Sequence, residues 1–417
     1  MHGDFTENRK THSWLHIAID DVQFDAEQTE AHLLWIYSLV VNGDVTLTRT
    51  SVTNTTIAVV YVETNSTSSN TWQVDLVDVV VSHHVSGKNN GDDDNDDDND
   101  DDNNNNNMLC IDSILYLINV SDVTVSHWKL DHCVVCYNAI VIGFDTINIT
   151  NLQVDHFDGI APFTLRHGSA LTLQDLDCSN SSATRISCLS LFDISTAMMS
   201  DVYCRNSFGQ YCVCINAVSV DDFVLDTISC DTVQSNSSTC VNLKYVTNAA
   251  ITNASCYQCN DTALVYLDEV SLPRLSNITC ISSWGPDSGC VAGIVLESFV
   301  LENVLCDSVH SSFAPCVFLY DVNSTVVNNL TCINAIGSVG CWYSNTMNAN
   351  ISNVSAIGCI GYYAAAFYVL ANQFVSVQDS FFRNNFLTDI GANFGVGIFI
   401  EAKHAYVARC NFTSNLG

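Results

Sequence analysis

A cysteine-flanked unit recurs in this chain with a fixed period, and few architectures tolerate such a pattern. The segment Cys240 to Cys256, CVNLKYVTNAAITNASC, has copies in the same register at Cys188 to Cys204, Cys214 to Cys230, Cys290 to Cys306 and Cys316 to Cys332. Directly after the first cysteine stand Leu189, Ile215, Val241, Val291 and Val317, and six residues in stand Ile194, Val220, Val246, Leu296 and Val322. Eleven residues in come Met199, Leu225, Ile251, Leu301 and Val327, followed three later by Val202, Ile228, Ala254, Val304 and Leu330. Apolar columns repeated every 24 to 27 residues mark a solenoid, in which no unit buries its own face without neighbours.

The unit is rich in Val, Ile, Thr, Ser and Asn and poor in helix formers, which disfavours helical repeats. Leucine-rich repeats share the period but need a Leu-rich consensus with a helical half that is missing here. The expectation is an all-β, single-stranded parallel β-helix with about three short strands per rung.

The ending Φ-x-x-Φ-x-Cys, with Φ apolar, extends the repeat to the whole chain. We place it at Ile19, Val22, Phe24, at Leu47, Thr50, Val52, and at Val74, Val77, Val79. It returns at Val125, Trp128, Leu130 and at Ile149, Leu152, Val154. Its last position is then Cys178, Cys204, Cys230, Cys256, Cys280, Cys306, Cys332 and Cys359, and finally Phe382 and Phe412. These marks give 14–15 rungs and a single domain over 1–417. At a strand spacing of ~4.8 Å the rod would be roughly 70 Å long. Residues 90–107, almost wholly Asp and Asn after Gly91, cannot contribute to a core and read as a disordered loop inserted in one rung. The run is either an expanded simple repeat or, through its hard oxygen ligands, a calcium binder.

A net charge of -32, with 13 Lys and Arg against 45 Asp and Glu, excludes nucleic-acid binding as a function. Twenty cysteines, mostly in register, argue for an oxidising compartment. Sequons at Asn54, Asn65, Asn119, Asn148, Asn180, Asn236, Asn260, Asn323, Asn350 and Asn411 argue for the same, as glycosylation acceptors of a secreted or cell-surface protein. The N-terminus has no apolar signal-peptide core, and no run is long enough to span a membrane. The chain starts and stops within the repeat, so we expect a fragment of a longer polypeptide. Exposed terminal rungs would also permit end-to-end self-association.

Nine residues separate the cysteines in Cys178/Cys188, Cys204/Cys214, Cys230/Cys240, Cys280/Cys290 and Cys306/Cys316, and eight separate Cys332/Cys341. Where Leu264 takes the second place, Cys259 appears three residues after Cys256. This regularity suggests a disulfide closing one loop per rung. Bonds between neighbouring rungs and buried free thiols remain open alternatives. A zinc site would need Cys133/Cys136 to meet Cys256/Cys259 from five rungs away, and is rejected.

Three residues before the terminal mark lies a second column: Asn151, Asp175, Asp201, Thr227, Asn253, Asn277, Asn303 and Asn329. Asn and Asp tolerate left-handed backbone, so we expect a hydrogen-bonded ladder at a corner of the coil. Asn253, Asn277 and Asn329 are also sequons, but glycans one strand spacing apart would crowd, so we discount them as acceptors.

The last two copies, with GVGIFI at Gly395 to Ile400 followed by Phe412, Thr413, Ser414 and Asn415, and with Phe382, Arg383, Asn384 and Asn385 before them, resemble the GGAI and FxxN repeats of polymorphic outer membrane proteins. The resemblance implies a right-handed parallel β-helix of the pectin-lyase-like class and a surface-exposed adhesin. The motif covers the last fifth of the chain; elsewhere Cys replaces the Phe. The Asp/Asn tract and sequons look more like a eukaryotic microbe than a bacterium.

An enzyme acting on polysaccharide is the alternative function. Its best candidates are Asp131-His132 and Asp155-His156 in consecutive rungs, which could bring carboxylates and imidazoles together. Arg166-His167 is the nearest basic pair, and Asp221-Asp222 and Asp268-Glu269 are isolated acidic pairs. None completes a catalytic constellation. The reading is therefore a non-catalytic extracellular or cell-surface glycoprotein scaffold, adhesin-like or coat-forming, needing no cofactor, with glycans or cell-surface proteins as partners.

Overall fold

The computed structural model describes residues 14–25, 34–38, 42–53, 60–64, 72–82, 113–131, 134–183, 188–209, 212–285, 289–388 and 395–417. Every described strand pairing is parallel, and the chain is a β-solenoid. One position per turn can be followed through the ladder: Phe24, Val52, Val81, Leu130, Val154, Cys178, Cys204, Cys230, Cys256, Cys280, Cys306, Cys332, Ala356, Phe382 and Phe412. From Leu130 to Phe412 this column makes 11 register steps, preceded by the positions at Phe24, Val52 and Val81.

Two marks differ from the expectation. Leu47 stacks on Leu76, so the third turn ends Leu76, Val79, Val81, two residues later than Val74, Val77, Val79. Its sequence, VDLVDVVV, alternates with enough valines to satisfy either frame, and a shift of two keeps the same face inward. Cys332 stacks on Ala356 instead of Cys359, which lies three residues beyond the column.

The corners explain why the chain turns where it does. The whole column from Asp21 through Arg49, Asp78, His127, Asn151, Asp175, Asp201, Thr227, Asn253, Asn277, Asn303, Asn329, Asn353 and Asp379 to Arg409 has positive φ, between 47° and 65°. A second such column runs His156, Asn180, Asn206, Thr232, Gln258, Ser282, Ser308, Asn334, Gly358, Asn384, Ser414, and a third runs Asn119, Gly143, His167, Asp193, Ser219, Tyr245, Glu269, Val295, Asp321. Most side chains here are short and polar, suited to left-handed backbone. Between corners, side chains alternate in and out. Val125, Ile149, Leu173, Met199, Leu225, Ile251, Leu275, Leu301, Val327, Ile351 and Val377 form one continuous buried stack along the axis.

Candidate functional site

The cysteines set the inner frame. The structure joins Cys178 to Cys188, Cys204 to Cys214, Cys230 to Cys240, Cys256 to Cys259, Cys280 to Cys290, Cys306 to Cys316 and Cys332 to Cys341. Each bridge closes a short loop, and all fourteen cysteines are buried. Cys359 is a buried free thiol, pushed up to about 12 by desolvation. Cys410 is a half-buried free thiol.

At the corner, amide groups form a chain of hydrogen bonds. Asn253 donates to Asp226 at 2.8 Å, Asn277 to Asn253 at 3.0 Å, Asn303 to Asn277 at 3.1 Å and Asn329 to Asn303 at 2.9 Å. Asn151, Asp175 and Asp201 share the corner conformation. Of the proposed glycan acceptors, Asn148, Asn180, Asn260, Asn323, Asn350 and Asn411 are exposed and Asn119 is half-buried at a left-handed corner. Asn180 donates to Asp155 at 3.0 Å. Asn54, Asn65, His132, Cys133 and the Asp/Asn tract lie outside the described residues, and Asn236 is described only as part of the strand Gln234–Lys244.

The structure does bring Asp131, Asp155 and His156 together, with their ligand-type atoms within 4.8 Å of one another. The group lies on the surface, with Lys129 3.6 Å from Asp131 and His156 Nδ1 3.0 Å from Asp155. Arg166 is not part of it, since its guanidinium lies 4.9 Å over the Phe192 ring. Asp222 accepts from Asn248 at 2.7 Å and Asp268 is paired with Lys244 at 2.7 Å. These acidic pairs stay apart, as their separate rungs implied.

A second candidate site lies where the later loops stack. In the later turns the loops themselves stack, forming a second parallel sheet of Trp284–Gly285, His310–Ser311, Ile336–Val339, Ile360–Ala364 and Phe386–Leu387. Val339 N–H donates to the Phe313 carbonyl at 2.8 Å. Gly337 makes this close stacking possible, because a Cβ there would come within 2.6 Å of the Phe313 oxygen. The loop layer faces an outward column of rings on the main sheet. Phe318 stacks on Tyr343 at 5.4 Å, Tyr343 on Tyr368 at 5.7 Å and Tyr368 on Phe399 at 4.7 Å. Phe313 meets Phe318 and Tyr343 edge-on at 5.4 and 4.9 Å. Between the two layers is a cleft of about 300 Å³ lined by Phe313, Val339, Tyr343, Tyr363, Tyr368 and Leu370.

Comparison with protein-family models, with curated proteins and with solved structures finds no match. The cleft must therefore be judged on its own chemistry. Burial raises both tyrosine hydroxyls above their ordinary range, reinforced at Tyr343 by Tyr368 and Tyr320 and at Tyr368 by Glu401. The cleft thus presents rings, aliphatic carbon and protonated hydroxyls, a composition suited to binding. The sequence held one signal for it: Phe318, Tyr343, Tyr368 and Phe399 occupy equivalent places in consecutive copies. No helix among the described residues is long and apolar enough to cross a membrane.

Proposed function

We propose that the protein is a non-catalytic, extracellular surface scaffold, adhesin-like or coat-forming, in which a disulfide-stapled β-solenoid displays loops. The observation that carries this reading is the set of seven bridges among the described residues, one in each consecutive turn from Cys178 to Cys341. Thiols so placed in a reducing cytosol would remain open, so the bridges support an oxidising compartment. Glycosylation at the exposed sequons and partners on other cells or in the surrounding matrix belong to the same proposal.

Non-reducing peptide mapping of protein secreted from a eukaryotic host tests it, because cysteine linkage and glycan occupancy are read together. The expected result is bridging within turns and glycans on exposed sequons such as Asn323 and Asn350. Free thiols throughout with bare sequons would overturn it. A second reading, a carbohydrate-active enzyme, is favoured only by the Asp131, Asp155 and His156 group. Polysaccharide depolymerisation abolished by Asp155→Asn would establish that reading instead.

A further inference from the structure

We infer that the aromatic cleft between the loop layer and the main sheet is a binding site for an uncharged glycan segment. This deepens the surface-scaffold reading and rests on it. None of the cleft's six lining residues carries a charge. An anionic polymer is opposed by the field of a chain with net charge -32. A cation would be drawn near by that field, yet on entering it would lose its hydration without meeting a carboxylate on the lining.

The backbone excludes another class of ligand. Along both walls the main-chain groups are used between turns: Val317 to Trp342, Trp342 to Phe367 and Phe367 to Ile398 in the main sheet, and His310 to Ile336 to Ile360 in the loop layer. A peptide therefore cannot join either wall as an added strand, since that mode depends on unpaired edge groups. What remains is side-chain recognition by ring surfaces, ring edges and hydroxyls.

A sugar ring matches that offer, having C–H groups to lie on Tyr363 and Leu370 and hydroxyls to exchange hydrogen bonds with Tyr343 and Tyr368. The solenoid adds a matching repeat. Its aromatic column advances one residue per turn, ~4.8 Å along the axis, which is close to the advance of one sugar unit in an extended glycan. Phe318, Tyr343, Tyr368 and Phe399 cover one another's faces and thus present a row of ring edges, with the Tyr343 and Tyr368 hydroxyls, along which consecutive units can lie, the cleft at its centre.

The test is retention of the full chain on a printed array of neutral, acidic and amino-bearing glycans that also carries proline-rich peptides. Tyr363→Ala, Tyr368→Ala and the distant exposed Tyr257→Ala are run in parallel, with circular-dichroism melting of each variant to verify the fold. The expected result is signal on neutral glycans that falls roughly tenfold or more in Tyr363→Ala and Tyr368→Ala and is kept in Tyr257→Ala. Signal confined to acidic glycans, to amino sugars or to peptides overturns the inference, as does silence on every neutral glycan or indifference to both cleft variants. If the array is silent but bridges and glycans map as expected, the cleft assignment fails and the scaffold stands. If the mapping fails, the scaffold falls with it.

Discussion

The cysteine-bearing turns from Cys178 to Cys341 and the last turns from Ala356 to Asn415 solve one packing problem in two ways. In the first region the terminal mark and the first residue of the next copy are both cysteine and are covalently joined, except where Leu264 takes the second place and Cys256 is joined to Cys259 instead. In the second the same two places are Ala356 and Ala366, then Phe382 and Gly397. Phe382 is fully buried, stacks on Phe412 at 4.9 Å and meets Phe367 edge-on at 5.5 Å. Gly397 makes room for these rings, since a Cβ there would approach Phe412 within 2.7 Å. The Phe of one motif and the Gly of the other are therefore one device, a large residue against a missing one.

The position three past the mark shows the same division. Buried Asn385 accepts from Cys359 N at 2.9 Å and donates to the Ala356 carbonyl at 3.0 Å, while Asn415 accepts from Asn385 and donates to the Phe382 carbonyl at 3.0 Å. In the cysteine turns this place holds Ser207, Val233, Cys259, Ser283, Val309 and Ala335, which are buried. A covalent loop closure thus tolerates varied residues nearby, whereas the non-covalent turn depends on one fully satisfied amide.

Phe382→Ala should have the largest effect, costing about 3–5 kcal/mol by cavity formation. In a solenoid the loss is local, so hydrogen exchange should open the turns after Ala356 while the cysteine turns stay protected. Uniform opening along the rod would break the comparison. Replacing both Cys306 and Cys316 by Ala should cost about 3 kcal/mol, read from urea unfolding, and removing reductant from the buffer should not restore it. Asn385→Ala should cost about 2 kcal/mol by orphaning the Cys359 N–H, and Ser283→Ala should cost less than half of that. Asn277→Ala should cost about 1–2 kcal/mol, with Asn277→Gly much milder, because the left-handed corner penalises any Cβ. The smallest effect is in acid. Hydrogen bonds from Thr252 and Asn253 hold the Asp226 carboxyl below its ordinary 3.8, so its contribution is present above that value and lost as pH falls through the lowered one. Asp226→Asn should flatten that part of the melting-temperature profile.

The rungs were legible in the sequence because buried positions such as Ile251, Leu301 and Val327 can be filled only by apolar residues, and repetition makes the requirement visible. The corner at Asn253, Asn277 and Asn303 was legible for the complementary reason, that few residues accept its backbone. Its continuation through Arg49, His127 and Arg409 was not, since conformation alone, without a typical residue, marks those corners. Cys359 was misplaced because a cysteine three residues from an alanine can be read as either member of the pair. The cleft was hidden for a different reason. Phe313, Val339 and Tyr363 come from three loops far apart in the sequence, and only the stacking of those loops brings them together as one cavity wall.

The unbroken register has a consequence for how such a protein can change. Val81 stacks directly on Leu130 although roughly twice as many residues separate them as separate Leu130 from Val154, and the axis advances by one strand spacing in both cases. Length gained between two turns does not accumulate along the axis. A loop can therefore be lengthened or rewritten without shifting the register of the turns on either side of it.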